Sequence, residues 1–130
     1  NAIPSVVYTN PEIACVGLTE KDLTEIKEGD FAPSMSTDEP FVPYEVHKLP
    51  MTYSGRFVAE NEGETGLCKV IVDKKNKTII GVHMIGNPCS EFVAAASFAV
   101  RMGYTIGEFK QVVFPHPTVG EVLREVIMEG

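Results

Sequence analysis

Two titratable side chains near the end of the chain stand close enough in sequence to work as a pair. His116 lies in the stretch Phe114-Pro115-His116-Pro117-Thr118-Val119-Gly120-Glu121. Each proline fixes its own φ and pushes the residue before it toward an extended backbone, so the histidine is held by stiff neighbours. Glu121 falls in the first turn of an expected helix, within reach of a ring just upstream. A carboxylate that accepts a hydrogen bond from one imidazole nitrogen selects the tautomer and leaves the other nitrogen free as a base. The same residues admit a plainer reading. Thr118-x-x-Glu121 is a capping box, in which the glutamate only closes the helix start. Taken as residues alone, both readings stand.

The other candidates point away from chemistry. His47 and His83 fall within expected strands, where a satisfied structural histidine is the simpler account. Cys15, Cys68 and Cys89 are widely spaced and form no CxxC or CxxxxC pair. They read as free thiols of a reducing cytoplasm rather than as a disulfide framework or a local redox pair. The histidines and cysteines are not at zinc-ligand spacing, and no metal site is expected. Neither GxGxxG nor GxxxxGK[ST] occurs, so neither glycine-rich phosphate loop is available.

The whole chain sets wider bounds. Its 130 residues suit a single domain, 1–130, with its own core. Apolar residues make up 44% and charged residues 22%, the balance of a globular protein. A net charge of −7 argues against nucleic acid and anionic membrane as partners. No apolar run approaches the roughly 20 residues of a membrane span. The start, Asn1-Ala2-Ile3-Pro4, has no basic or apolar leader character and no initiator Met. The expectation is a processed chain or a piece of a longer one.

The elements that must position the pair follow from local patterns. Val6–Thr9 is a β-prone run closed by Asn10-Pro11. Ala14–Leu18 is small and apolar. Thr19 is an expected N-cap, with Leu18 and Leu23 as a hydrophobic staple, for a helix to about Lys27 and a C-cap near Gly29. Phe31–Pro43 is proline-rich and reads as a loop. Phe41–Leu49 alternates as a half-buried strand that Pro43 places at an edge. Gly55–Ala59 admits a short strand or a turn. Gly66–Asp73 and Thr78–Gly86 form a hairpin around a basic turn, rich enough in Val and Ile to be covered on at least one face. Glu91–Met102 is a helix rich in small residues and ended by Gly103. Thr105-x-x-Glu108 opens a short helix. Val119, Val122, Leu123, Val126 and Ile127 form the apolar stripe of a last helix. Strands first and helices last favour an α+β fold, an antiparallel sheet of about four to five strands packed with helices.

The ordered set of segments resembles a known family. Ile3-Pro4-Ser5-Val6-Val7-Tyr8-Thr9-Asn10-Pro11-Glu12 with Val16-Gly17, then Lys69-Val70-Ile71, then Ile80-Gly81-Val82-His83-Met84-Ile85-Gly86, and finally His116-Pro117-Thr118-Val119-Gly120-Glu121, are similar to the C-terminal interface (dimerisation) domain of the pyridine nucleotide–disulfide oxidoreductases. Within that family the dihydrolipoyl dehydrogenases are the most alike.

The resemblance implies a homodimer in which His116 is the acid/base for a dihydrolipoamide-type dithiol and Glu121 orients it. The histidine would act at the partner subunit's flavin and redox-disulfide site, with the backbone of His116 and Pro117 near that flavin and a cis His116-Pro117 bond. It also implies that FAD and NAD belong to other domains of a longer parent, with no cofactor bound to this chain alone. An isolated chain of this kind would be inactive. One position departs from the pattern: Phe114 stands where dihydrolipoyl dehydrogenases commonly carry a further histidine. This loosens the substrate assignment toward other disulfide reductases, such as those acting on glutathione or mercuric ion. A chain acting purely as a dimerisation module is the alternative of a different class.

Overall fold

The structure is a computed structural model and describes residues 3–25, 43–112, 116 and 118–128. Five strands form one antiparallel sheet: β1 (Ser5–Val7), β2 (Ile13–Gly17), β3 (Tyr44–Leu49), β4 (Leu67–Asp73) and β5 (Ile79–Ile85), in the order β1-β2-β5-β4-β3. The helices are α1 (Glu20–Glu25), α2 (Gly55–Glu60), α3 (Cys89–Met102), α4 (Ile106–Phe109) and α5 (Val122–Met128), with a 3-10 turn over Met51–Tyr53 before α2. The α+β expectation holds.

One face of the sheet carries the main core. Ala14, Val16, Cys68, Val70, Val72, Val82 and Met84 alternate onto it. There they meet Val93, Ala96 and Ala99 of α3 and Val122, Leu123, Val126 and Ile127 of α5. The small residues of α3 let its backbone come close to the sheet, as its composition predicts. The opposite face holds a smaller cluster, in which Leu18 and Leu23 cover Ile71 and Ile80. A register shift between Ile71 and Val72 explains why both Ile79 and Val82 face the main core while Ile80 turns away.

Several local expectations are met. Thr19 and Asp22 cap α1 reciprocally: the Asp22 N–H donates to Thr19 Oγ1 (3.0 Å) and the Thr19 N–H to Asp22 Oδ2 (2.9 Å). The far end of that helix, toward Lys27 and Gly29, lies outside the described residues, as does the loop 31–42. Among the described residues β3 pairs with β4 alone, at the sheet edge directly after Pro43. Gly103 ends α3 in the left-handed conformation (φ 67°), and Thr105 and Glu108 form the full capping box of α4.

Two expectations need correction. The small apolar run Ala14–Leu18 carries no strand pattern of its own, yet Ile13–Gly17 is β2, paired with β1 and β5. Its alternation is masked because Ala14 and Cys15 are both small. Gly55–Ala59 is neither strand nor turn but lies in α2, because Ser54 accepts the Phe57 N–H (3.3 Å) as N-cap and the Phe57 ring is fully buried. Burial of one aromatic ring decides a segment whose own propensities are mixed.

Candidate active site

The residues around His116 and Glu121 are anchored from three sides. The Ser54 hydroxyl, fully buried, donates to the Thr118 carbonyl (2.9 Å). Val119 inserts into the main core. Gly120 lies against α3 so tightly that a Cβ there would come within 3.3 Å of Phe92 Cβ and Cγ. α5 starts directly afterwards, at Val122, so Glu121 sits in the turn that precedes it.

That anchoring brings the pair together. His116 Nδ1 lies 2.8 Å from Glu121 Oε2 and 3.1 Å from Oε1. An ionised carboxylate only accepts, so Nδ1 carries the proton and Nε2 is left as an acceptor. The two side chains have opposite exposure: the carboxylate is 15% exposed and the imidazole 80%. The glutamate is thus held within the fold, and the ring it orients projects outward. Beside them is a shallow concavity of ≈ 300 Å³, lined by Lys110, Val112, His116, Glu121, Arg124 and Glu125. Chemically, Nε2 can take up a proton and the carboxylate can stabilise the resulting imidazolium. The concavity is too open to exclude water, so a substrate would have to be enclosed by a second surface. Pro115 and Pro117, and with them the expected cis His116-Pro117 bond and the position Phe114, lie outside the described residues.

The other titratable groups have structural partners. His83 Nε2 donates to the Leu18 carbonyl (2.8 Å), and His47 Nε2 donates to Glu45 Oε1 (3.3 Å). Both agree with the structural reading of these histidines. The three cysteines are free thiols. Burial pushes the Cys68 thiol up to about 12, and burial together with the nearby Glu12 carboxylate pushes Cys89 up to about 11. Among the described residues, no group of three or more His, Cys, Asp or Glu could hold a metal ion. No described helix is long and apolar enough to cross a membrane.

Gly17, Gly66 and Gly81 are the glycines with the closest approaches, but the neighbours are the chain's own backbone and Met51, not an open cleft. Sequence reading did not single out Ser54. Its cap position before α2 was a usable signal, but its second partner, Thr118, is 64 residues away.

The class is therefore an antiparallel α+β domain that presents a carboxylate-oriented histidine on an open surface. The profile of the pyridine nucleotide-disulphide oxidoreductase dimerisation domain matches residues 3–127, and the chain belongs to that family. The mitochondrial dihydrolipoyl dehydrogenase of Caenorhabditis elegans is 37% identical over 125 residues, 96% of this chain and 22% of that protein. Among solved structures, LpdA from Mycobacterium tuberculosis superposes with a TM-score of 0.80 at 20% identity, covering 98% of this chain and 25% of that one. The HOCl-induced flavoprotein disulfide reductase RclA from Escherichia coli superposes with a TM-score of 0.78 at 21% identity, covering 97% and 26%. The chain thus spans less than a quarter of the length of the curated relative and about a quarter of each structural neighbour.

Proposed function

We propose that residues 1–130 are the C-terminal interface domain of a longer, homodimeric, FAD- and NAD-dependent dihydrolipoyl dehydrogenase, and that His116 is its acid/base. The observation that carries this reading is the His116–Glu121 pair, with Nδ1 occupied by the carboxylate and Nε2 exposed. A dihydrolipoamide-type dithiol gives up a thiol proton to Nε2. The S–H bond breaks, a thiolate forms, and the imidazolium charge is offset by Glu121. Because the ring is 80% exposed beside an open concavity, the rest of the site belongs to another surface, that of the partner subunit. FAD and NAD supply the redox chemistry there and are held by other domains of the parent. The backbone of His116 and Pro117 lies near the partner's flavin in this reading. Three free thiols suit a cytoplasmic setting.

The test is His116→Ala in the full-length enzyme. Dithiol oxidation should fall by roughly 10²–10⁴-fold, the range for loss of a general acid/base, while bound flavin is retained. Near-normal turnover overturns the assignment. A second reading, dimerisation alone, is favoured by apolar groups left open on α3, where Phe98 is 58% and Met102 55% exposed. It predicts that the same variant keeps full activity and dimerises normally.

A further inference from the structure

We infer that Ser54 is a positioning residue for the His116–Glu121 pair, acting through its hydrogen bond to the Thr118 carbonyl. The inference rests on the proposed role of that pair. Thr118 stands between the two members of the pair in sequence, two residues after the histidine and three before the glutamate. Its carbonyl accepts from Ser54 Oγ at 2.9 Å. The hydroxyl is fully buried and has both its functions engaged: it accepts the Phe57 N–H as the cap of α2 and donates to Thr118. A buried donor has no water to fall back on, so the bond to Thr118 is held as firmly as the surrounding core.

The arrangement has a directional consequence. α2 is tied to the core by the buried Phe57 ring, and Ser54 begins it. The hydroxyl therefore transfers the position of a rigid element to the loop carrying the pair. Val119 and the tight Gly120–Phe92 contact fix the loop from the other side. The His116 ring is 80% exposed, so little but Glu121 and its own backbone orient it. Without the Ser54 bond the Thr118 carbonyl loses its tie to the start of α2. The loop is then fixed from the Val119–Gly120 side alone, the ring moves relative to the carboxylate, and the selection of the Nδ1–H tautomer weakens. Ser54 touches neither reacting atom.

The experiment uses the full-length protein with ¹⁵N-labelled histidine. Nitrogen shifts of the neutral His116 ring report which nitrogen holds the proton, and dithiol turnover is measured alongside. Wild type should show the Nδ1–H form. Ser54→Ala should shift the ring toward the Nε2–H form and lower turnover by roughly 10- to 100-fold, the scale expected for misplacement of a catalytic group by about 1 Å. Ser54→Thr, which keeps the hydroxyl, should restore both. Leu23→Ala weakens the smaller cluster on the opposite face of the sheet, away from α2 and Thr118, and should leave the tautomer unchanged. If Ser54→Ala does not fold, Ser54→Cys, of similar size but a weak donor, is read in the same way. The inference is overturned if the folded Ser54 variant keeps the Nδ1–H form, or if Leu23→Ala shifts it equally. Failure of the acid/base reading looks different: His116→Ala turns over normally, while the tautomer response to Ser54 can still be scored.

Discussion

At the scale of residues, what separates His116 from His47 and His83 is exposure. All three rings have a hydrogen-bonding acceptor, but His83 is spent on a backbone carbonyl inside the fold and His47 on a strand neighbour. Only His116 combines an oriented ring with an open second nitrogen. Glu121→Gln keeps the shape of the partner but removes its charge. It should lower turnover of the full-length enzyme by less than His116→Ala does, since the base remains while the stabilisation of its imidazolium is lost. A pH–rate profile of the variant, compared with wild type, checks this. The cysteines allow a second prediction. Burial pushes the Cys68 and Cys89 thiols up, to about 12 and about 11, from an ordinary 9.0. Below pH 9 folded and unfolded chains both keep these protons and nothing is gained or lost. Above it the unfolded chain sheds protons that the folded chain retains, so stability falls as pH rises from about 9. Denaturant titrations at pH 8 and pH 10 should show the drop. Iodoacetamide on the native protein should label the partly exposed Cys15 before the other two.

At the scale of elements, the most demanding contact is where β2 meets β5. Gly17 (φ +80°) and Gly81 are register partners, and a Cβ on Gly17 would lie 2.3 Å from the Ile80 carbonyl. A Cβ on Gly81 would lie 2.1 Å from the Leu18 carbonyl. This closeness permits the Leu18 N–H to donate to the Ile80 carbonyl (2.9 Å) and places the Leu18 carbonyl for His83. Gly81→Ala should destabilise by well over about 1 kcal/mol, because backbone rather than a flexible side chain must move. Thr105→Ala, which removes an exposed capping box, should lose only about 1 kcal/mol. Thermal unfolding of the two variants ranks them. The glycines were visible in the sequence, and so was the Thr105 box, since a cap is a local matter of spacing. The crossing that makes Gly81 irreplaceable was not visible, because it depends on strands 64 residues apart in the chain.

At the scale of the whole molecule, the surface looks unfinished. Val7, Ile13 and Ile85 are neighbours in register across β1, β2 and β5, and all three are exposed on the sheet. Phe98 and Met102 add apolar surface on α3. Apolar groups aligned in this way are usual where another surface covers them. Sedimentation over a wide concentration range should show a dimer of the chain. A monomer at the highest concentration overturns self-sufficient dimerisation of the chain.

What the sequence determined by itself was periodic or adjacent: the β4–β5 hairpin, the α3 and α5 stripes, the caps at Thr19 and Thr105, and the spacing of His116 and Glu121. Such features depend on neighbours within a few positions, so residue type and order suffice. The capping-box and catalytic readings of Glu121 could not be parted in that way, since both use the same glutamate. Only the tertiary structure turned both carboxylate oxygens toward Nδ1 and left the ring in the open. It did so through Ser54, Phe92 and the core around Val119, whose partners are distant along the chain and meet only when the sheet and helices pack.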